Sequence, residues 1–75
     1  MYGYNSPIGP MIIFFDKRVN RFALAINDTL YGHYHSAVAA ADDVYCHVTG
    51  CDQWDLLDGK IFDAPTDLAE WLRYG

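Results

Sequence analysis

Positive charge is scarce in this chain. Its 75 residues hold five Lys and Arg against ten Asp and Glu, for a net charge of −5. That balance disfavours nonspecific attraction to DNA, RNA or anionic lipid. Cysteine is scarce too, and two residues, Cys46 and Cys51, cannot make a disulfide framework. The apolar run Met11-Ile12-Ile13-Phe14-Phe15 falls far short of the roughly 20 residues that span a bilayer. No basic segment precedes it in the manner of a secretory leader, so a cytoplasmic protein without membrane contact is expected. P-loop, GxGxxG, HExxH and GxSxG patterns are all missing. So small a chain rarely encloses a substrate cavity alone, and an enzyme is not expected. There is no internal repeat, linker or low-complexity stretch.

What is present is apolar mass. Hydrophobic residues make up 52% of the chain and aromatics 16%, which excludes a disordered segment. Residues 1–75 form one small domain, and a domain this size buries only about 60% of its unfolded surface. Six Tyr, four Phe and two Trp supply large buried areas at low side-chain entropy cost. So much apolar surface in so small a fold predicts a homodimer or a partner surface rather than an isolated monomer.

Local patterns predict an α+β fold. Residues 1–10 carry two Gly and two Pro and read as an irregular arm anchored by Tyr2, Tyr4 or Ile8. Residues 11–34 read as a three-stranded antiparallel β-meander: Met11 to Phe15, Arg21 to Asn27 and Leu30 to Tyr34. In the second strand Phe22, Leu24 and Ile26 share one face. Ala23 and Ala25 share the other, a small-residue face that either lies under something close, such as a second subunit, or is simply semi-exposed. One amphipathic helix over 36–49 follows, with Ser36 as N-cap. On a wheel of about 100° per residue, Ala37, Val38, Ala41, Val44, Tyr45 and Val48 form its apolar side. Ala39, Asp42, Asp43, Cys46 and His47 form the opposite side. Beyond it lies a turn-rich segment, with an Asp58-Gly59 hairpin between Leu56-Leu57 and Ile61-Phe62. A short C-terminal helix is predicted over 66–74, capped by Thr66, with Leu68, Trp71 and Leu72 as its core stripe.

The order of three strands and a helix resembles the DNA-binding modules of the AP2 type. The residues concerned are Phe22-Ala23-Leu24-Ala25-Ile26, Gly32-His33-Tyr34 and Ser36-Ala37-Val38-Ala39-Ala40-Ala41, followed by Gly50. The resemblance covers less than half of the chain and implies a fold. Those modules read DNA with basic and aromatic side chains on the sheet, whereas the second and third strands here offer only Arg21. DNA binding is therefore not carried over.

Charge is unevenly placed. After residue 40 come Asp42, Asp43, Asp52, Asp55, Asp58, Asp63, Asp67 and Glu70, against Lys60 and Arg73. The outer helix side and its continuation, Asp42, Asp43, His47, Asp52 and Asp55, form the candidate acidic interaction face. With Gly50 as the residue that stops the helix in a Schellman turn, Cys46 and Cys51 fall on its C3 and C″ positions. They would meet there as a thiol pair: two reduced cap residues, or a disulfide if the Cα atoms lie within about 4.4–6.8 Å.

The leading functional expectation is a small acidic, non-enzymatic protein-interaction module. It would dock on a basic surface as an inhibitor or adaptor, as small phage-encoded inhibitors of host defence do as a class. The alternative is a metal-binding or redox-sensitive protein built on Cys46 and Cys51. Against a metal stands distance, because His33 and His35 lie at the far end of the helix, roughly 15 Å or more away. No metal or other cofactor is assigned. Cysteine catalysis is disfavoured at Cys46, since the negative helix end and Asp42 both oppose a thiolate. His33 and His35 flank Tyr34 as a candidate base pair with no fixed partner, and Asp42-Asp43 as a cation site reads more simply as a solvated face. A third reading is weak nucleic-acid binding through Lys17, Arg18 and Arg21, which the net charge opposes.

Overall fold

A computed structural model describes residues 1–61 and 64–74. The fold is α+β, with one five-stranded antiparallel sheet and a helical layer on one of its faces. The strands are β1 (Tyr2–Ser6), β2 (Gly9–Asp16), β3 (Arg21–Ile26), β4 (Thr29–Tyr34) and β5 (Leu72–Arg73), in spatial order β4-β3-β2-β1-β5. The helices are α1 (Ala37–Tyr45) and a single turn, α2 (Asp52–Asp55). Among the described residues no helix is long and apolar enough to cross a membrane.

Two sequence expectations about the sheet are corrected. The arm over residues 1–10 is instead β1 and its hairpin with β2, so the three-strand meander is the middle and one edge of a larger sheet. Pro7 and Ile8 make the two-residue turn, and Gly9 follows at φ +128. A Cβ at Gly9 would overlap the Asn27 amide, so only glycine fits. Asn27 uses that proximity: its Nδ2 donates to the Ile8 carbonyl at 2.7 Å and its backbone amide to Pro10 at 3.0 Å. The β1–β2 and β3–β4 turns are thereby clasped together. The arm is held as well by Tyr4, whose ring meets Trp54 and Trp71 edge-to-face at 6.0 and 5.7 Å.

The second correction is the C-terminal helix over 66–74. It is one 3₁₀ turn, Leu68–Glu70, followed by β5. Asp67, not Thr66, caps the turn by accepting from the Ala69 amide. Thr66 instead donates its amide and hydroxyl to the Glu70 carboxylate. Trp71 then goes inward and Leu72 outward, an alternation that pairs with β1 rather than a helical stripe. Residues 1 and 74 end side by side, with the Tyr74 amide donating to the Met1 carbonyl at 2.8 Å and the Met1 ammonium to the Tyr74 carbonyl at 3.3 Å. The hairpin expected around Asp58-Gly59 is not formed among the described residues. Consecutive turns run from Leu56 to Lys60, and Phe62 lies outside the described residues.

The core lies between the sheet and α1: Met11, Ile13, Leu24 and Ile26 below, Ala37, Ala40, Ala41 and Val44 above, with Cys51, Trp54 and Trp71 closing the side. Ser36 caps α1 by accepting from the Ala39 amide at 3.1 Å. The helix therefore buries its small side chains, and the sheet supplies the bulk. Val38, Tyr45 and Val48, expected in the core, are 54%, 48% and 59% exposed.

Candidate interaction surface

The helix stop decides which side chains reach this surface. A Schellman turn ends α1, but three residues before Gly50. Cys46 is the C-cap and His47 adopts the left-handed conformation at φ +56. The Val48 amide donates to the Asp43 carbonyl at 3.0 Å and the His47 amide to Val44 at 3.1 Å, the two bonds of the motif. Histidine tolerates positive φ better than most residues, and here it gains partners by adopting it. Its ring stacks on Trp54 at 4.3 Å with an interplanar angle of 13°. Nδ1 lies 2.8 Å from the Trp54 carbonyl, which can only accept, so Nδ1 carries the proton. His47 is thus a buried structural residue rather than part of an exposed acidic face.

The shift in register also separates the cysteines' roles. Both thiols are free; Cys46 is exposed at the C-cap and Cys51 is buried in the core. Cys51 lies against Tyr31, and its hydrogen bond is the main reason the Tyr31 phenol titrates above its ordinary value. Cys46 and His47 line an open cleft of about 520 Å³ with Tyr45, Asp58, Ile61 and Thr66. Among the described residues, no three His, Cys, Asp or Glu side chains gather closely enough to hold a metal.

The five acidic-face candidates therefore differ in what they do. Asp55 is structural: Oδ1 accepts from the Thr49 amide and hydroxyl at 3.0 and 2.9 Å, and Oδ2 from the Gly50 amide at 2.9 Å. Asp43 is tied to the sheet by the Tyr34 hydroxyl, which donates to it at 2.9 Å. Burial first, then Asp43, pushes the Tyr34 phenol up to about 12. Asp42 and Asp52 are exposed. Val38, Asp42 and Tyr45 follow one another at i, i+4 and i+7, so one line along α1 is apolar, acidic and aromatic in turn. That line was missed in the sequence because its two large side chains were assigned to the core.

Charge sorts by layer. The sheet carries Lys17, Arg18, Arg21 and Arg73 against Asp16 and Asp28. The described residues of the helical layer carry Asp42, Asp43, Asp52, Asp55, Asp58, Asp67 and Glu70 against Lys60. Among the described residues, the ion pairs all involve Asp16, so no acid of the helical layer is neutralised by a basic side chain. Of the three candidate nucleic-acid contacts, Arg18 is paired with Asp16 while its side chain stays largely exposed. Its Nε and Nη2 donate to the two Asp16 oxygens at 3.1 Å each. His33 adds a contact to Asp16 at 3.4 Å, while His35 stays in the exposed link to α1.

Those Arg18 hydrogen bonds, joined by the Arg18 amide and His33, hold the Asp16 carboxyl down at about 2 against the opposing effect of burial; its ordinary value is 3.8. The folded state therefore binds fewer protons than the unfolded chain in that interval. The stabilisation from Asp16 is complete above about 3.8 and is lost as pH falls through about 2. Asp16→Asn is expected to flatten the acid-unfolding curve in that window, followed by circular dichroism. An equally steep curve in the variant would refute the assignment.

No family model matches the chain, and neither a curated protein nor a solved structure matches it. With β1, β5 and the 3₁₀ turn, the fold goes beyond a three-strand, one-helix scheme.

Proposed function

We propose that the chain is a small non-enzymatic binding module of the cytoplasm that docks the outer face of α1 on a protein with a basic surface, as an inhibitor or adaptor. The observation that supports this reading is the exposed Val38–Asp42–Tyr45 line set in a helical layer whose acids, among the described residues, form no ion pair with a basic side chain. An exposed tyrosine flanked by a valine has the character of an interface anchor, contributing area at low entropy cost. The surrounding carboxylates accelerate encounter with a basic partner and exclude acidic ones. A groove that ordinarily holds nucleic acid has the matching sign of charge, and covering one is how an acidic module inhibits.

The test is affinity capture with the intact chain beside two variants, Tyr45→Ala and Asp42→Lys. Both positions are solvent-facing, so both variants are expected to fold. The expected result is a basic protein retained by the parent chain, released by raised salt, and weakened about tenfold or more by either change. Capture that both variants reproduce in full, or a partner that is acidic and insensitive to salt, would overturn the reading.

A further inference from the structure

The sheet has a second face that the chain leaves uncovered. Cross-strand register places Ile12 beside Ala25 and Ala25 beside Leu30 in one row, and Phe14 beside Ala23 and Ala23 beside His33 in the next. Ile12, Phe14, Ala23 and Ala25 take no part in the core cluster under α1, which identifies the row as the back of the sheet. Across both rows the sequence of sizes is large, small, large. β3 is a groove floored by alanine, and β2 and β4 are the ridges beside it. Ala23 is fully buried, so the groove is open at its Ala25 end, where Ala25 is half-buried and Leu30 stays 46% exposed on the ridge. Towards β5 the same face continues with Leu72 and with the Tyr74 ring, which lies directly over Gly3. A hollow of about 180 Å³, lined by Gly3, Pro10, Ile12 and Tyr74 among others, opens there. A cavity near 150 Å³ is enough for a benzene ring, so this one can receive an apolar side chain.

We infer that this back face is the contact between two copies of the chain, packed sheet to sheet. Charge selects the occupant. The described residues of the helical layer carry seven acids against Lys60, so two copies repel each other where those layers meet. The back face carries none of those acids. At its rim Asp16 is already paired with Arg18 and His33. A basic partner is drawn to the other side of the molecule, and an anionic membrane is repelled by the net charge of −5. Shape agrees with charge. Two such faces pack at about 30°, and a two-fold axis lets the β2 ridge of each copy rest against the Ala25 end of the other's β3. The five strands hold 5, 8, 6, 6 and 2 residues, which at about 3.3 Å per residue and about 4.8 Å between strands give a footprint of about 430 Å² per copy. Two of these sum to about 860 Å², under the roughly 1,000 Å² of a stable specific interface, so the dimer is weak and reversible. It presents two α1 faces outward, on opposite sides.

Sedimentation velocity on the full chain tests this. The apparent mass is expected to rise from 8.5 kDa toward twice that value as concentration increases. The rise is expected over about 5–500 µM, the range for micromolar affinity. Ala25→Arg places a charge in the groove at a partly exposed position and is expected to weaken association at least about tenfold. Leu30→Lys, at an exposed ridge position, serves the same purpose should the first variant fail to fold. Val38→Lys, on the α1 side, is expected to leave association unchanged. Raised salt is expected to leave the dimer intact, because the contact is apolar and the acidic layers lie on opposite sides, beyond a Debye length of about 10 Å. A parent chain that stays monomeric throughout, a dimer indifferent to both back-face variants, or one dissolved by Val38→Lys or by salt would each overturn the inference. The last two outcomes would point instead to contact through α1 or between the basic β2–β3 turn and the acidic layer.

Discussion

Trp54→Ala is expected to leave the chain without a cooperative unfolding transition. A domain of this length has about 4–11 kcal/mol of stability to lose, at roughly 0.05–0.15 kcal/mol per residue. Truncating a fully buried tryptophan costs about 3–5 kcal/mol in transfer and cavity terms alone. Trp54 is fully buried, and its side chain serves three elements at once. Its Nε1 donates to the Val44 carbonyl at 2.8 Å, the same carbonyl that accepts the His47 amide at the end of α1. Its ring carries the His47 imidazole on one side and the edge of Tyr4 on another. The truncation therefore removes the filler between α1 and β1 together with a tie on the helix end. Trp54→Phe separates these effects. It keeps most of the ring and loses the Nε1 hydrogen bond, for an expected cost of about 1–3 kcal/mol. Urea unfolding followed by far-ultraviolet circular dichroism reads both variants. A cooperative transition in Trp54→Ala with a midpoint close to the parent's would show that the cluster contributes little.

Asp55→Ala is expected to cost about 2–4 kcal/mol, from hydrogen bonds to a charged acceptor that are each worth roughly 1.5–3 kcal/mol and are not additive. The carboxylate gathers the Thr49 amide, the Thr49 hydroxyl and the Gly50 amide, and the same hydroxyl accepts from the Cys51 amide at 3.1 Å. Thr49 is buried, so its amide has no water to replace the lost acceptor; Gly50 is exposed and its amide does. Asp55→Asn retains one acceptor oxygen and is expected to lose about half as much. The contrast is with Asp42→Asn and Asp52→Asn, at exposed positions, where changes within about 0.5 kcal/mol are expected. Denaturation midpoints measured on all four variants thus sort the acidic residues into those that hold the loop and those free to meet a partner. An Asp55 variant as stable as the Asp42 variant would remove that division.

Several of these roles were legible in the sequence, and the reasons differ from place to place. Ser36 and the strands β2, β3 and β4 follow from short-range chemistry: a hydroxyl before a run of alanines, and apolar alternation between polar turns. Residues 2–6 were misread because Gly and Pro in quantity suggest an arm. Tyr2-Gly3-Tyr4 does alternate, and the two Trp rings that hold Tyr4 come from far along the chain. The helix stop was misplaced by a similar local rule. Gly50 has positive φ, at +89, but His47 takes the left-handed position first because stacking on Trp54 and bonding to its carbonyl reward it. That displacement turns His47 inward and leaves Cys46 at the surface. The outer line of α1 was hidden by the assumption that the largest apolar side chains face the core. Beneath a sheet already filled by Met11, Ile13, Leu24 and Ile26, alanines fit better. The uncovered face of β3 was legible as small residues, though not the ridges beside it, which depend on register.

The pairing of β5 with β1 has a consequence for anything joined to the chain. The backbone at residue 74 is hydrogen-bonded to residue 1, so both ends leave the molecule from one corner, on the sheet edge opposite β4. A short tether across that corner would turn the fold into a ring with little rearrangement. New ends could then be opened between the exposed Val19 and Asn20, in the turn from β2 to β3, as in a circular permutant. Segments joined at Met1 and at Tyr74 would start from the same place, so residues 1 and 74 amount to a single point of attachment.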